Sequence, residues 1–267
     1  MTWNIHGAVG RNPRFDLNRI VDYVHQHNAD IVALQEVDSR RARDAGVESP
    51  FRVLGSALGS HSAHAHAIST ADGDYGQMLI SRWPLTSHSV HDLSFQEREP
   101  RRAISTEIAT PSGSLHVIAT HLGLSLHERR AQSRLLLDLL GSCDGPTLVM
   151  GDFNDWFWAG SVRRALAQEL PNFTNKRTFP AFMPLLKLDR IYASSRARIV
   201  ACYTDASARS LSDHLPVISD IELVAETALT AQTRNNFKSP SYAYSPGRLK
   251  FPPRIGLGSG RSFPARG

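Results

Sequence analysis

Apolar residues along the chain recur with two periods, and the switches between them mark its elements. From Asp16 to His27 the apolar positions are Leu17, Ile20, Val21 and Val24. That i, i+3, i+4, i+7 stripe predicts a surface helix packed on a sheet. Ile31 to Leu34 is a short unbroken apolar run, the pattern of a buried strand. Gly76–Ser81, Thr86–Leu93, Arg102–Ala109 and Leu115–Thr120 read as further strands, the last two joined by a Gly113 turn into an antiparallel hairpin. Ser125 and Glu128 have capping-box spacing and open a helix to Leu140, with Ala131, Leu135, Leu136, Leu139 and Leu140 as its buried face. Thr147–Met150 is a strand, Ser161–Glu169 a short helix, and Leu188–Ala193, Ile199–Tyr203 and Pro216–Leu223 three more strands. Strands outnumber helices and hairpins exclude a purely parallel sheet, so the expected fold is α/β with two mixed or antiparallel sheets and helices outside.

Two stretches lack such a pattern. Gly59–Gly73 is polar and carries His61, His64 and His66; among Ser, Ala and Gly it reads as a mobile loop rather than a metal site. Beyond Ala225 the chain is rich in Pro, Ser, Gly and Arg and reads as a disordered tail. The expected organisation is therefore a catalytic domain over residues 1–224 and a tail over 225–267.

Charge sharpens that division. The net charge is +5, but the tail has seven basic residues against one acid, a surplus of six that leaves residues 1–224 at −1. Tail aromatics such as Phe237, Tyr242 and Phe251 alternate with the basic residues, a pattern able to contact nucleic acid or another anionic surface. A solubilising or docking extension is the plainer reading. The folded part is too nearly neutral for strong tracking of duplex DNA. At 267 residues the chain can bury a core without staples, and two cysteines, Cys143 and Cys202, exclude a disulfide scaffold and point to a reducing compartment, the cytoplasm. No run is long enough for a membrane span, and residues 1–4 lack the marks of a signal peptide.

Polar residues stand where the apolar strands stop. Asn4 ends the first strand, Glu36 ends Ile31–Gln35, and His121 ends Leu115–Thr120. Asp152 and Asn154 follow Thr147–Met150, Asp189 falls within Leu188–Ala193, and Asp213-His214 precede the last strand. Each alone is ordinary, since a strand-end Asp is usually a turn cap. Together they suit phosphate-ester hydrolysis. The hard oxygens of Asn4, Glu36 and Asp213 fit Mg²⁺ or Mn²⁺. Asp152 can hold or deprotonate the attacking water while Asn154 orients the phosphate. His214, kept protonated by a buried carboxylate such as Asp189, and His121 can meet the negative charge that develops on phosphorus-bound oxygens. A serine hydrolase fits less well, because no Gly-x-Ser-x-Gly elbow is present, and there is no phosphate-binding loop of the Gly-Lys-Thr kind.

Trp3-Asn4-Ile5-His6-Gly7, Ala33-Leu34-Gln35-Glu36-Val37, Thr120-His121-Leu122, Gly151-Asp152-Phe153-Asn154, Leu188-Asp189-Arg190-Ile191 and Ser212-Asp213-His214-Leu215-Pro216 occur in this order. This ordered set resembles the endonuclease/exonuclease/phosphatase superfamily, whose fold is similar to that of pancreatic deoxyribonuclease. The resemblance implies a four-layered α/β sandwich with a metal-dependent site in the cleft at one edge of its two sheets. By position it makes Asn4, Glu36 and Asp213 the metal side. Asp152 becomes the water-aligning residue with Asn154 beside the phosphate, His214 and His121 the phosphate-contacting histidines, and Asp189 the acid that orients His214. One departure stands out: only three residues precede Asn4. Either the native start lies upstream or the first strand is abbreviated and weak.

The resemblance narrows the reaction and leaves the substrate open. A phosphodiesterase or nuclease is the leading expectation. A phospholipid head-group or inositol-type enzyme is the alternative, and non-catalytic binding through the tail is the third. Candidate substrate contacts are Arg102, Trp156, Trp158 and Arg177, the last in a Pro-containing loop expected to border the cleft.

Overall fold

The computed structural model describes residues 1–10, 15–44, 46, 49–141, 143, 145–156 and 160–224. The tail from residue 225, with the expected domain boundary there, lies outside the described residues, as does Trp158. In chain order the elements are Thr2–Asn4 (β1), Leu17–His27 (α1), Ile31–Asp38 (β2), Ser39–Asp44 (α2), Pro50–Leu58 (α3), His61–Thr70 (β3) and Gly73–Ser81 (β4). Next come Leu85–Asp92 (β5), Arg102–Thr110 (β6), Gly113–His121 (β7), Leu126–Leu140 (α4), Thr147–Asp152 (β8) and Ser161–Leu166 (α5). Asn172–Phe173 (β9), Asp189–Ala193 (β10), Ala197–Tyr203 (β11) and Ile218–Leu223 (β12) complete them.

The strands make a four-stranded sheet in the order β1-β2-β4-β3, a six-stranded sheet in the order β5-β6-β7-β8-β10-β9, and a β11-β12 pair. Both larger sheets are mixed: β1 is parallel to β2 and β7 to β8, and the remaining pairs are antiparallel. Strand periodicity then sorts the core into three apolar seams. Ala33 and Leu79 point inward against Val117, Ala119, Leu148, Met150 and Ile191 of the other sheet. Their neighbours Val32, Leu34, Met78 and Ile80 point the other way, onto Leu17, Ile20 and Val24 of α1 and Leu54 of α3. On the far side Ile118, Val149 and Tyr192 meet Leu136 of α4 and Val162 and Leu166 of α5. Helix, sheet, sheet, helix is the four-layered sandwich expected from the sequence.

The capping box read at Ser125 and Glu128 forms at the start of α4, and Asp16 caps α1. Three expectations are corrected. Gly59–Gly73 is no loop: most of it is edge strand β3, with Ala63 and Ala65 buried and His64 and His66 stacked, ring centroids 5.0 Å apart. The buried residues of α4 include Glu128, Arg129, Gln132 and Ser133 along with Leu136 and Leu140, while Leu135 is exposed. Glu36 does not end its strand, which runs on to Asp38 through a bulge between Leu34 and Val37. β1 has three residues and is bonded on both sides, to β2 and through reciprocal Thr2–Val217 bonds.

Candidate active site

Parallel pairing brings the C-terminal ends of β1 and β2 together, and likewise those of β7 and β8. β10 is antiparallel to β8, so its first residue reaches the same end. Register does the rest: His121 lies opposite Asp152, and Asp152 opposite Asp189. Asn4 arrives at the end of β1 and Glu36 at the bulge of β2. The Asn4 amide bridges the two sheets, donating to Glu36 Oε1 at 2.8 Å and to Asp152 Oδ2 at 3.1 Å.

The Gly-Asp-Phe-Asn segment shows how a short sequence builds such a point. Gly151 has φ 154°, and a Cβ there would come within 1.9 Å of the Thr120 carbonyl oxygen on β7. Asp152 turns into the site, while Phe153 is fully buried on the opposite side, its ring 4.9 Å from that of Tyr192. Asn154, at φ 49°, closes the turn by donating its N–H to Asp152 Oδ1 at 2.9 Å, and its side-chain amide donates to the Leu122 carbonyl at 2.9 Å.

The final motif is anchored with equal redundancy. Ser212 Oγ donates to the Asn4 carbonyl at 2.7 Å, and the indole of Trp3 donates to the His214 carbonyl at 2.9 Å. The loop from Thr178 to Leu186 frames it: Leu215 N–H donates to the Thr178 carbonyl and Ala181 N–H to that of Asp213. The Phe179 ring packs 4.8 Å from that of His214.

Asp152 Oδ2 is the point of convergence. Besides Asn4, His121 Nε2 lies 3.7 Å from it and His214 Nε2 3.8 Å. The two imidazoles are in opposite states. Burial and the adjacent Arg101 guanidinium lower His121 to about 3, so it is neutral. Arg101 Nη1 can only donate, so at 3.4 Å it leaves His121 Nδ1 as acceptor and puts the proton on Nε2. Burial opposes the charge on His214 too, but the Asp189 and Asp152 carboxylates prevail and raise it to about 10. Its Nδ1–H donates to Asp189 Oδ2 at 2.8 Å. Burial and the Asp189 charge push Asp152 up to about 6. Glu36 is held at about 2: burial raises it, and His6, His121 and Asn4 outweigh that.

One group of donors among the described residues converges closely enough to hold a divalent cation. Asp152, Asp189 and His214 offer buried ligand atoms all within 4.8 Å of one another, and Asp189 Oδ1 has no hydrogen-bond partner among the described residues. Glu36 and Asp213 present more accessible carboxylates, with His6 Nδ1 3.5 Å from the first and 3.7 Å from the second.

The sequence profile of the Endonuclease/Exonuclease/phosphatase family matches residues 1–214. The chain belongs to that family. It is 33% identical over 241 residues to YbhP of Escherichia coli K12, an alignment covering 84% of this chain and 95% of that protein. Among solved structures, an endonuclease/exonuclease/phosphatase from Beutenbergia cavernae superposes with a TM-score of 0.64 at 20% identity, over 84% of this chain and 71% of that one. The mannosyl-6-phosphatase Bt3783 of Bacteroides thetaiotaomicron does so with a TM-score of 0.64 at 14% identity, over 83% and 98%. At these identities the structural likeness is one of fold. Family, fold and site together identify a hydrolase of phosphate esters with a side-chain group able to hold a divalent cation.

All eight residues singled out as catalytic or metal-holding lie at this one end of the sandwich. The expected substrate contacts fare less evenly. Arg102 is bound to Asp92 and Ser94, and the arginine that reaches the site is its buried neighbour Arg101. Trp156 is 49% exposed two residues after Asn154, and Arg177 is exposed beside Thr178. Sequence reading gave no role to His6 or Thr178, and from the adjacent pair Arg101-Arg102 it chose Arg102. His6 left a signal of its own, an imidazole two residues after Asn4, just past the end of β1.

Proposed function

We propose that the protein is a Mg²⁺- or Mn²⁺-dependent phosphodiesterase of the nuclease type, working by in-line attack of water on phosphorus. The observation that carries this reading is the convergence on Asp152 Oδ2 of one amide and two imidazoles in opposite protonation states. Asp152 takes the proton of the attacking water. His214, charged because of Asp189, and His121, neutral with its proton on Nε2, donate to the non-bridging oxygens as negative charge builds there. The Asn154 side chain, fixed by the Leu122 carbonyl, orients the same phosphate. Glu36 and Asp213 would hold the cation, which would supply positive charge to the reacting phosphate. The Asn4 amide presents its nitrogen to the carboxylates, and its oxygen accepts the His6 N–H at 3.0 Å, so Asn4 acts by positioning Glu36 and Asp152. A protonated His214 has no lone pair for a metal, which favours the Glu36 side over the buried Asp152/Asp189/His214 group.

A second reading, hydrolysis of a phospholipid head group, has one observation in its favour. Leu124, Trp156, Phe182, Met183 and Leu185 are exposed apolar side chains on segments that adjoin the site. No helix among the described residues is long and apolar enough to cross a membrane, so such an enzyme would meet lipid at a surface.

The test is a hydrolysis panel on the full chain with Mg²⁺, Mn²⁺ or EDTA, beside Asp152→Ala. Its substrates are single- and double-stranded DNA, RNA, an aryl phosphodiester, phospholipid vesicles, inositol phosphates and, because a fold neighbour is a mannosyl-6-phosphatase, a hexose 6-phosphate. Metal-dependent turnover that falls by roughly 10³-fold or more in the variant is expected. Preference for a diester bears out the leading reading, and preference for vesicles the second. Turnover unaffected by EDTA and by the variant would overturn both.

A further inference from the structure

We propose that Arg129, a fully buried arginine of α4, is a positioning residue for hydrolysis. With Asp155 it ties the loop after His121 to the segment after Asn154, so that these two groups meet one phosphate at a fixed spacing. This rests on the reading above, in which His121 and Asn154 contact the reacting phosphate.

The loop from Leu122 to Ser125 is held from two directions. On the site side, Leu122 N–H donates to the Asp152 carbonyl and its carbonyl accepts from the Asn154 amide, both at 2.9 Å. Behind it, side chains of α4 take up the backbone. Gln132 Oε1 accepts the Gly123 N–H at 2.9 Å, and Glu128 Oε2 faces the Ser125 N–H at 3.4 Å. Arg129 Nη1 donates to the Leu124 carbonyl at 2.5 Å and lies 3.4 Å from that of Gly123.

Asp155 holds the second segment. Its Oδ1 accepts the Ser161 N–H at 3.1 Å, and its Oδ2 accepts those of Val162 and Arg163 at 3.1 and 3.3 Å, so it caps α5. It also directly follows Asn154, and its Oδ1 is 3.9 Å from Arg129 Nε, with both side chains fully buried. That separation is too long for a hydrogen bond, so the link is one of charge. Burial works against the Arg129 charge, and the Asp155 carboxylate opposes that loss.

A buried ion pair is a poor choice for stability alone, because apolar side chains of similar volume hold a core as well or better. They cannot serve the carbonyls of the loop. A guanidinium can, since its planar fork reaches the loop with one nitrogen and faces a carboxylate with another. His121 and Asn154 are thereby joined twice, in front through the Leu122 carbonyl and behind through Arg129. A single front hydrogen bond would let Asn154 swing about it. The second link removes that freedom, which matters most in the transition state, where a misplacement of about 1 Å can cost roughly 10²-fold in rate.

The experiment compares wild type, Arg129→Lys, Asp155→Asn and the double variant in the full chain. The readouts are urea unfolding, Mn²⁺ binding followed by the electron paramagnetic resonance of the free ion, and kcat and KM on the aryl phosphodiester. Arg129→Lys keeps the charge and loses the fork. It is expected to fold, to keep KM and Mn²⁺ affinity within about twofold, and to lose roughly 10–100-fold in kcat. Asp155→Asn should show the same split, and the double variant should lose no more than the worse single, because the two act as one link. If Arg129→Lys does not fold, Asp155→Asn, which leaves α4 intact, carries the same expectation. A kcat unchanged in the folded variants, a loss matched by the unfolded fraction, a rise in KM alone, or losses that multiply would overturn the positioning role and leave the hydrolase reading standing. Wild type without metal-dependent turnover would remove that reading and this proposal with it.

Discussion

His121 and His214 face one carboxylate oxygen from 3.7 and 3.8 Å, and the groups behind them help to set their opposite charges. Arg101 abuts the first and Asp189 the second. Burial, helped by Arg101, keeps His121 neutral, and Asp189, helped by Asp152, keeps His214 charged. Asp189→Asn keeps the shape and removes the charge, so in the metal-free protein the His214 imidazolium, persisting to about 10 in wild type, should titrate several units lower by NMR. With His214 neutral at pH 7, kcat should fall by roughly 10²–10⁴-fold with KM little changed. An unshifted His214 titration would show that another charge holds its proton. The linkage to stability has a definite sign. A histidine raised from 6.5 to about 10 contributes stability that is fully present below 6.5 and lost as the pH rises through 10. Asp152, raised from 3.8 to about 6, adds a contribution present below 3.8 and lost as the pH rises through 6. Both make the metal-free protein less stable toward alkaline pH.

Strand ends carry the candidate site, and their backbones are where the sequence is least forgiving. Gly151→Ala would drive a Cβ into the Thr120 carbonyl at 1.9 Å, across the β7–β8 pairing that aligns His121 with Asp152. The variant should lose more than about 3 kcal/mol in urea unfolding, or fail to fold, and any folded fraction should have weakened metal-dependent turnover. An ordinary surface-sized loss would mean that the strands separate there easily. At this scale the sequence was legible wherever pattern and role coincide. Strands with both faces buried read as apolar runs, and the polar residues ending them gather at the candidate site. It was opaque where they diverge. β3 hides its alternation because the inward residues are small, Ala63 and Ala65, and the outward ones are histidines. The positive φ of Glu36, 56°, inside β2 leaves no mark on residue identity. The buried face of α4 is polar for a reason only the fold supplies. Gln132 accepts from Gly123 N–H and donates to the Leu93 carbonyl, and Arg129 donates to the carbonyls of Gly123 and Leu124. That face holds up the loop behind His121, and the apolar stripe expected there yields to it.

Three apolar seams fix the two sheets to each other and to their helices, so their ends meet as a rigid edge rather than a flexible cleft. At that edge stand Glu36, Asp152, Asp189 and Asp213, four carboxylates brought together from distant parts of the chain. Asn4 ties Glu36 to Asp152 across the sheets, and His214 answers Asp189. A cation held by Glu36 and Asp213 would join the first sheet to the loop before β12, a connection that exists only in the folded chain. Binding must then stabilise the whole molecule, by about 2.7 kcal/mol at a concentration a hundred times Kd. For a folded unit of this size that is roughly 5–11 °C in Tm. Thermal unfolding in EDTA, Mg²⁺ and Mn²⁺ measures it, and Glu36→Gln should abolish the rise. Because Glu36 is held at about 2 by its neighbours, it stays ionised in acid, and the rise should persist at pH 5. A rise that survives Glu36→Gln would move the cation to the buried Asp152, Asp189 and His214, where it would have to displace the proton that Asp189 secures on His214.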